Sequence, residues 1–139
     1  GHDKADLAIL DETTGILFAG DQAFMDRAPT TPHADIAKWL ESLDELENID
    51  FYLMIPGHGP VIGDAEAVRQ TREYLVWLVK TLEDAADRGS EMTEVMNLPI
   101  PEKFARLASV KEEYRRSVHH LWPEIVRRKL PKAIDRRND

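Results

Sequence analysis

The sequence predicts an α/β fold: a small sheet near the front of the chain, a β-α-β crossover within it, and long helices behind. Three observations carry that expectation. Two short apolar runs flank a turn between residues 7 and 20. A segment of helical period then separates the β-rich runs 16–20 and 51–55, the pattern of a crossover that joins parallel strands. From residue 64 onward, apolar residues recur at spacings of three and four over two long stretches.

In chain order, Leu7-Ala8-Ile9-Leu10 and Ile16-Leu17-Phe18-Ala19-Gly20 read as strands near 6–11 and 15–20. The link Asp11-Glu12-Thr13-Thr14-Gly15 is turn chemistry, so the pair is a β-hairpin. In a hairpin the start of the first strand lies beside the end of the second, which brings His2 near Asp21. Thr31 before Pro32 looks like an N-cap and first helical position. The helix predicted over 32–47 carries Ile36, Trp39, Leu40, Leu43 and Leu46 on one face. Phe51-Tyr52-Leu53-Met54-Ile55 is a short buried strand, and Pro56 with Pro60 is expected to forbid its continuation.

The next stretch, Pro56-Gly57-His58-Gly59-Pro60, holds one imidazole just beyond a strand end. Its plainest reading is a tight turn whose histidine faces water. A right-handed crossover, however, ends strands 16–20 and 51–55 on the same sheet edge, where ligand sites tend to lie. Asp21, His58 and the hairpin-delivered His2 therefore converge there, from three separate segments.

Asp64 caps a helix expected over 64–88, with Val68, Leu75, Leu78, Val79, Leu82 and Ala86 as its stripe and Gly89 as its stop. Tyr74 and Trp77 flank that stripe as packing residues. After a short helix between Ser90 and Met96, a second long helix is expected over 101–122, using Phe104, Leu107, Ala108, Val118 and Leu121. Pro123 should kink or restart it.

The formal charge of −8 argues against a general nucleic-acid or anionic-membrane surface, and no apolar run is long enough to span a bilayer. The charge is uneven, +5 from Glu102 onward against −13 before it, which reads as a solvated basic helix face. The absence of cysteine removes disulfides, thiolate nucleophiles and Cys-based zinc sites, leaving His and carboxylate ligands. The opening Gly1-His2-Asp3, without an initiator Met and almost directly before a strand, suggests a cut start. Localisation is not legible from that end.

Gly1-His2, Leu17-Phe18-Ala19-Gly20-Asp21 and Pro56-Gly57-His58-Gly59-Pro60, in this order and spacing, resemble the C-terminal half of the metallo-β-lactamase superfamily. Arg27-Ala28-Pro29-Thr30-Thr31-Pro32-His33-Ala34-Asp35, Gln70-Thr71-Arg72-Glu73-Tyr74-Leu75 and Arg116-Ser117-Val118-His119-His120-Leu121 look like its quinoprotein-relay-system zinc metallohydrolase branch. The resemblance implies the C-terminal αβ half of a four-layer αββα sandwich, with long C-terminal helices. Residues 1–63 would be the sheet half with its metal-ligand loops, 64–130 the helical part of the same domain, and 131–139 a tail that frays. It implies a dinuclear zinc site, with His2 on the first metal, Asp21 bridging and His58 on the second. The implied reaction is hydrolysis of a small-molecule substrate by a zinc-bound hydroxide, and a periplasmic location is compatible with the branch. Arg27 and His33 are the candidate substrate-side residues. His119 and His120 read as helix packing and surface positions.

Two features depart from the superfamily pattern. Asp3 stands where Thr or Ser usually follows the histidine, and the H-x-H-x-D-H motif is absent. Most ligands of the first metal and one of the second would then come from a missing N-terminal half. The chain alone is expected to hold zinc weakly or not at all and to hydrolyse nothing appreciable. Without its other half, the run Ile16 to Ala19 would lie open to water or to a second copy, so self-association or a retained fragment is expected. The competing readings are a non-catalytic α/β binding module with a relic metal site, and a split protein whose other half is a separate chain.

Overall fold

A computed structural model of the chain describes residues 8–32 and 34–138, with side chains through Leu130. The first elements are the hairpin: β1 (Ile9–Asp11) pairs antiparallel with β2 (Ile16–Phe24), Ile9 opposite Phe18. Helix α1 (Ile36–Glu47) then crosses over to β3 (Leu53–His58), which runs parallel to β2. The sheet order is β1-β2-β3, as the crossover pattern requires.

One face of the sheet is buried by helices. Leu17, Ala19 and Met54 lie under Trp39 and Leu43 of α1 and under Val68, Leu75 and Leu78 of α2 (Glu66–Asp87), all inaccessible to water. Each of the larger aliphatic side chains contributes roughly 1.5–3 kcal/mol on burial. Arg72 of α2 ties the two helices from outside, with Asp44 and Glu47 each 2.8 Å away. The opposite face is open: Phe18 is 44% exposed and Ile9 63%. The pleat therefore splits the run Ile16 to Ala19, burying Leu17 and Ala19 and leaving Phe18 outward.

Several boundaries differ from the sequence reading. Helix α1 starts at Ile36, capped by Asp35, whose carboxylate accepts from the Lys38 amide at 3.2 Å. Thr31 is no cap, because its hydroxyl is buried and donates to Ser117 Oγ at 2.5 Å. Strand β3 runs through Pro56 to His58. Met54 turns both its N–H and its C=O outward to Ile62, at 2.8 and 3.0 Å. Two residues on, Pro56 therefore has its nitrogen on that outer edge, where the missing N–H breaks no bond to β2.

The expected helix over 101–122 is two helices, α4 (Glu102–Ala105) and α5 (Val110–Asn138), after a short α3 (Met92–Met96). The break at 106–109 arises because that backbone pairs with the loop after β2. Ala108 N–H donates to Asp26 C=O and Ala28 N–H to Ala108 C=O, both at 3.0 Å, and Ser109 takes a positive φ of 60°. Helix α5 passes through Pro123 without restarting, with Trp122 and Ile125 on either side both buried. Tertiary packing there outweighs the one backbone bond that proline removes. Among the described residues no helix is long and apolar enough to cross a membrane.

Candidate metal centre

The site lies where β2 and β3 end together, and an irregular register makes it. Phe18 pairs with Ile55, Gly20 with Pro56 and Phe24 with His58. Strand β2 thus spends six residues where β3 spends three. Surplus residues in one strand bend it and re-aim its side chains. Gly20 supplies the left-handed backbone for the bend, at φ 57°. The strands also approach so closely that a Cβ on Gly57 would stand 2.5 Å from Gly20 O and closer still to Asp21 Oδ1. The glycine at 57 is thus a requirement of the approach itself.

This geometry puts Asp21 Oδ1 3.3 Å from His58 Nε2, with the two side chains 34% and 44% exposed. The spacing is longer than an ordinary charge-assisted N–H···O bond of about 2.7–2.9 Å. It matches the separation of about 3.3 Å between two donors on one tetrahedral zinc with bonds near 2.0–2.1 Å. Imidazole and carboxylate are both zinc donors, so the pair fits two corners of a shell. Among the described residues, no group of three or more His, Cys, Asp or Glu side chains gathers to hold a metal.

The other sequence candidates fall differently. His2 and His33 lie outside the described residues. Arg27 is half-buried in the loop after β2, bridged to Ala108 through its backbone, and its Nε is buried without a partner among the described residues. His119 and His120 are both exposed on α5, far in sequence from the strand ends.

Three residues that support the site escaped the sequence reading. The Phe24 ring stacks on His58, centroids 5.0 Å apart and planes at 15°. Thr71 Oγ1 accepts from the Phe24 amide at 2.9 Å. Gln70 holds the next turn, where Asp26 takes a φ of 57°: its Oε1 accepts from Asp26 N–H at 2.9 Å and its Nε2 donates to Asp26 Oδ1 at 3.3 Å. A signal for Thr71 was present. It sits on the stripe Val68, Leu75, Leu78, and a hydroxyl on a buried stripe needs a partner.

No family model matches the chain. Among solved structures it is similar to the crystal structure of a metallo-β-lactamase family protein from Thermus thermophilus. The two are 22% identical with a TM-score of 0.60, over 84% of this chain and 42% of that one. At that identity the likeness concerns the fold, and the fold is half of a metallo-β-lactamase-like architecture. The chain spans less than half the length of the structure it matches.

Proposed function

We propose that this chain is one half of a metal-dependent hydrolase of the metallo-β-lactamase superfamily, with Asp21 and His58 as metal ligands. The observation that carries the reading is the 3.3 Å spacing of Asp21 Oδ1 and His58 Nε2 at the shared end of two parallel strands. In this reading Asp21 would be shared by two zinc ions, with His58 a ligand of one and His2 a ligand of the other. When bound, such a zinc pair supplies activation of water and polarisation of the scissile bond. The chain's own part is to hold the carboxylate and the imidazole at fixed separation, half open to a substrate. Arg27, on the loop that follows β2, and His33 are the substrate-side residues. The finer assignment to the quinoprotein-relay-system branch rests on the motifs around Arg27, Gln70 and Arg116.

The remaining ligands, in an H-x-H-x-D-H motif, come from a segment outside this chain. Its natural seat is the open sheet face around Ile9 and Phe18, and a second copy of the chain is the competing occupant. A non-catalytic binding module is the second reading, favoured by the presence of only two donors at the site among the described residues.

Zinc analysis after dialysis tests both. This chain should lose its zinc, whereas a protein that includes the coding sequence upstream of Gly1 should retain two ions per chain. Asp21→Ala in that longer protein should empty both sites, and His58→Ala chiefly one. Stoichiometric zinc on this chain alone would show the ligands to be divided differently. A longer protein without zinc would favour the binding module.

A further inference from the structure

The last residue of β2 joins the metal site to the interior. Phe24 is fully buried, and its ring is held on two sides, by His58 at 5.0 Å and by Trp39 at 6.1 Å. Trp39 is itself fixed, its indole N–H donating to Gln22 C=O at 2.8 Å. The backbone of Phe24 is fixed by Thr71, which is 1% exposed on the inner face of α2. The Thr71 hydroxyl has one proton and two carbonyls in reach, Ala67 at 2.7 Å and Phe24 at 3.3 Å. The shorter bond takes the proton, which leaves the oxygen's lone pair for the Phe24 amide at 2.9 Å. His58 is caught at its backbone as well, where its C=O accepts from Met25 N–H at 2.8 Å.

We infer that Thr71, acting through Phe24, is a positioning residue that sets the ring plane of His58 and so the direction in which Nε2 meets Asp21. The inference rests on the proposed ligand role of His58. The physical need is plain: a histidine side chain 44% exposed has other rotamers open to it in water. A parallel ring at 5.0 Å selects one of them. That ring can do so only if its own backbone does not slide, and the Thr71 bond stops it from sliding. The line of contact Thr71–Phe24–His58–Asp21 therefore carries one hydrogen bond of α2 into the geometry of the sheet edge. Outer groups that orient a metal-binding histidine are worth about 10- to 100-fold in metal affinity.

The test uses this chain and two readouts. One is the chemical shift of the carbon-bound His58 ring protons, which a stacked phenyl ring moves upfield. The other is a zinc titration followed at the same protons. Thr71→Val removes the hydroxyl at nearly constant volume, Thr71→Ser keeps it, and Phe24→Leu removes the stack directly. Thr71→Val should move the His58 signals toward those of Phe24→Leu and weaken zinc about tenfold or more, while Thr71→Ser should restore both. If Thr71→Val folds and leaves both readouts at wild-type values, the inference is overturned, even though His58 binds zinc. If Thr71→Val does not fold, Phe24→Leu decides, and unchanged zinc affinity there overturns it. If the His58 signals follow Thr71 as expected but no variant responds to zinc, the positioning link stands, and the metal reading is decided by the zinc content of the longer protein.

Discussion

At the sheet edge two polar side chains remain a third to nearly half exposed, 3.3 Å apart. At the helical base Tyr74, Trp77, Phe104 and Tyr114 pack ring to ring at 5.1 to 5.7 Å over the buried stripe Leu75, Leu78 and Leu82. The two regions are specified by different means. The base is held by the volume and area of its side chains. The edge is held by the lack of a side chain at Gly57, by surplus residues in β2 and by single hydrogen bonds from α2. The difference teaches that stability and site geometry are separable in this chain, and that substitutions should sort by region.

The sharpest way to break the comparison is to strike the base. Leu78 is fully buried in α2, and Leu78→Ala should cost about 2–5 kcal/mol by lost transfer energy plus the cavity left behind. Urea unfolding would read the loss. At temperatures where the variant is folded, the His58 ring signals should match those of wild type. Altered His58 signals in the folded variant would show that base and edge are one unit.

A smaller and more local effect is expected at Gly57. An added methyl there meets Gly20 O at 2.5 Å and, closer still, Asp21 Oδ1. Relief requires the ends of β2 and β3 to part, so Gly57→Ala should cost about 1–3 kcal/mol as overpacking. Unlike Leu78→Ala, it should separate Asp21 from His58 and weaken zinc more than its stability loss suggests. An unchanged zinc titration at His58 in a folded Gly57→Ala chain would contradict the close approach of the strands.

The same division explains how much could be read from the sequence. The base follows from helical period, which local residues dictate, and both α2 and the β-α-β unit stand close to where the pattern puts them. At the edge, the motifs around Asp21 and Pro56–Pro60 were visible because glycine and proline punctuate a chain strongly. The register of β2 was not visible, since it is set by β3 and by Thr71, 47 residues from its partner Phe24. The helix break at 106–109 and the true cap of α1 were hidden for a similar reason. Ala108 and Ser117 answer to the 26–31 loop, across 82 and 86 residues of chain. His2 and His33 fall outside the described residues, so the place of His2 at the edge and the substrate-side role of His33 are proposed from the sequence alone.

The smallest expected effects distinguish two tyrosines within the base itself. Tyr114 donates its hydroxyl to Val95 C=O at 2.6 Å. Tyr74 is fully buried and its hydroxyl has no hydrogen-bond partner among the described residues. Tyr114→Phe should therefore cost about 1 kcal/mol, the net worth of one hydrogen bond, whereas Tyr74→Phe should be neutral or slightly stabilising. Both phenols also carry a pH signature. Burial pushes Tyr114 up to about 12. Burial, then the charge of Glu113, then Tyr114 push Tyr74 above its ordinary value of 10.0. For an acid whose folded pKa is raised, the folded state holds the proton that the unfolded state releases. The stability from these groups is complete below pH 10.0 and falls as the pH rises, for Tyr114 through about 12. Urea midpoints measured from pH 9 upward should accordingly decline above about 10 in wild type and decline less in Tyr74→Phe. Equal alkaline slopes in the two proteins would mean that water reaches the Tyr74 phenolate in the folded protein, and the base would then lack the buried phenol assigned to it.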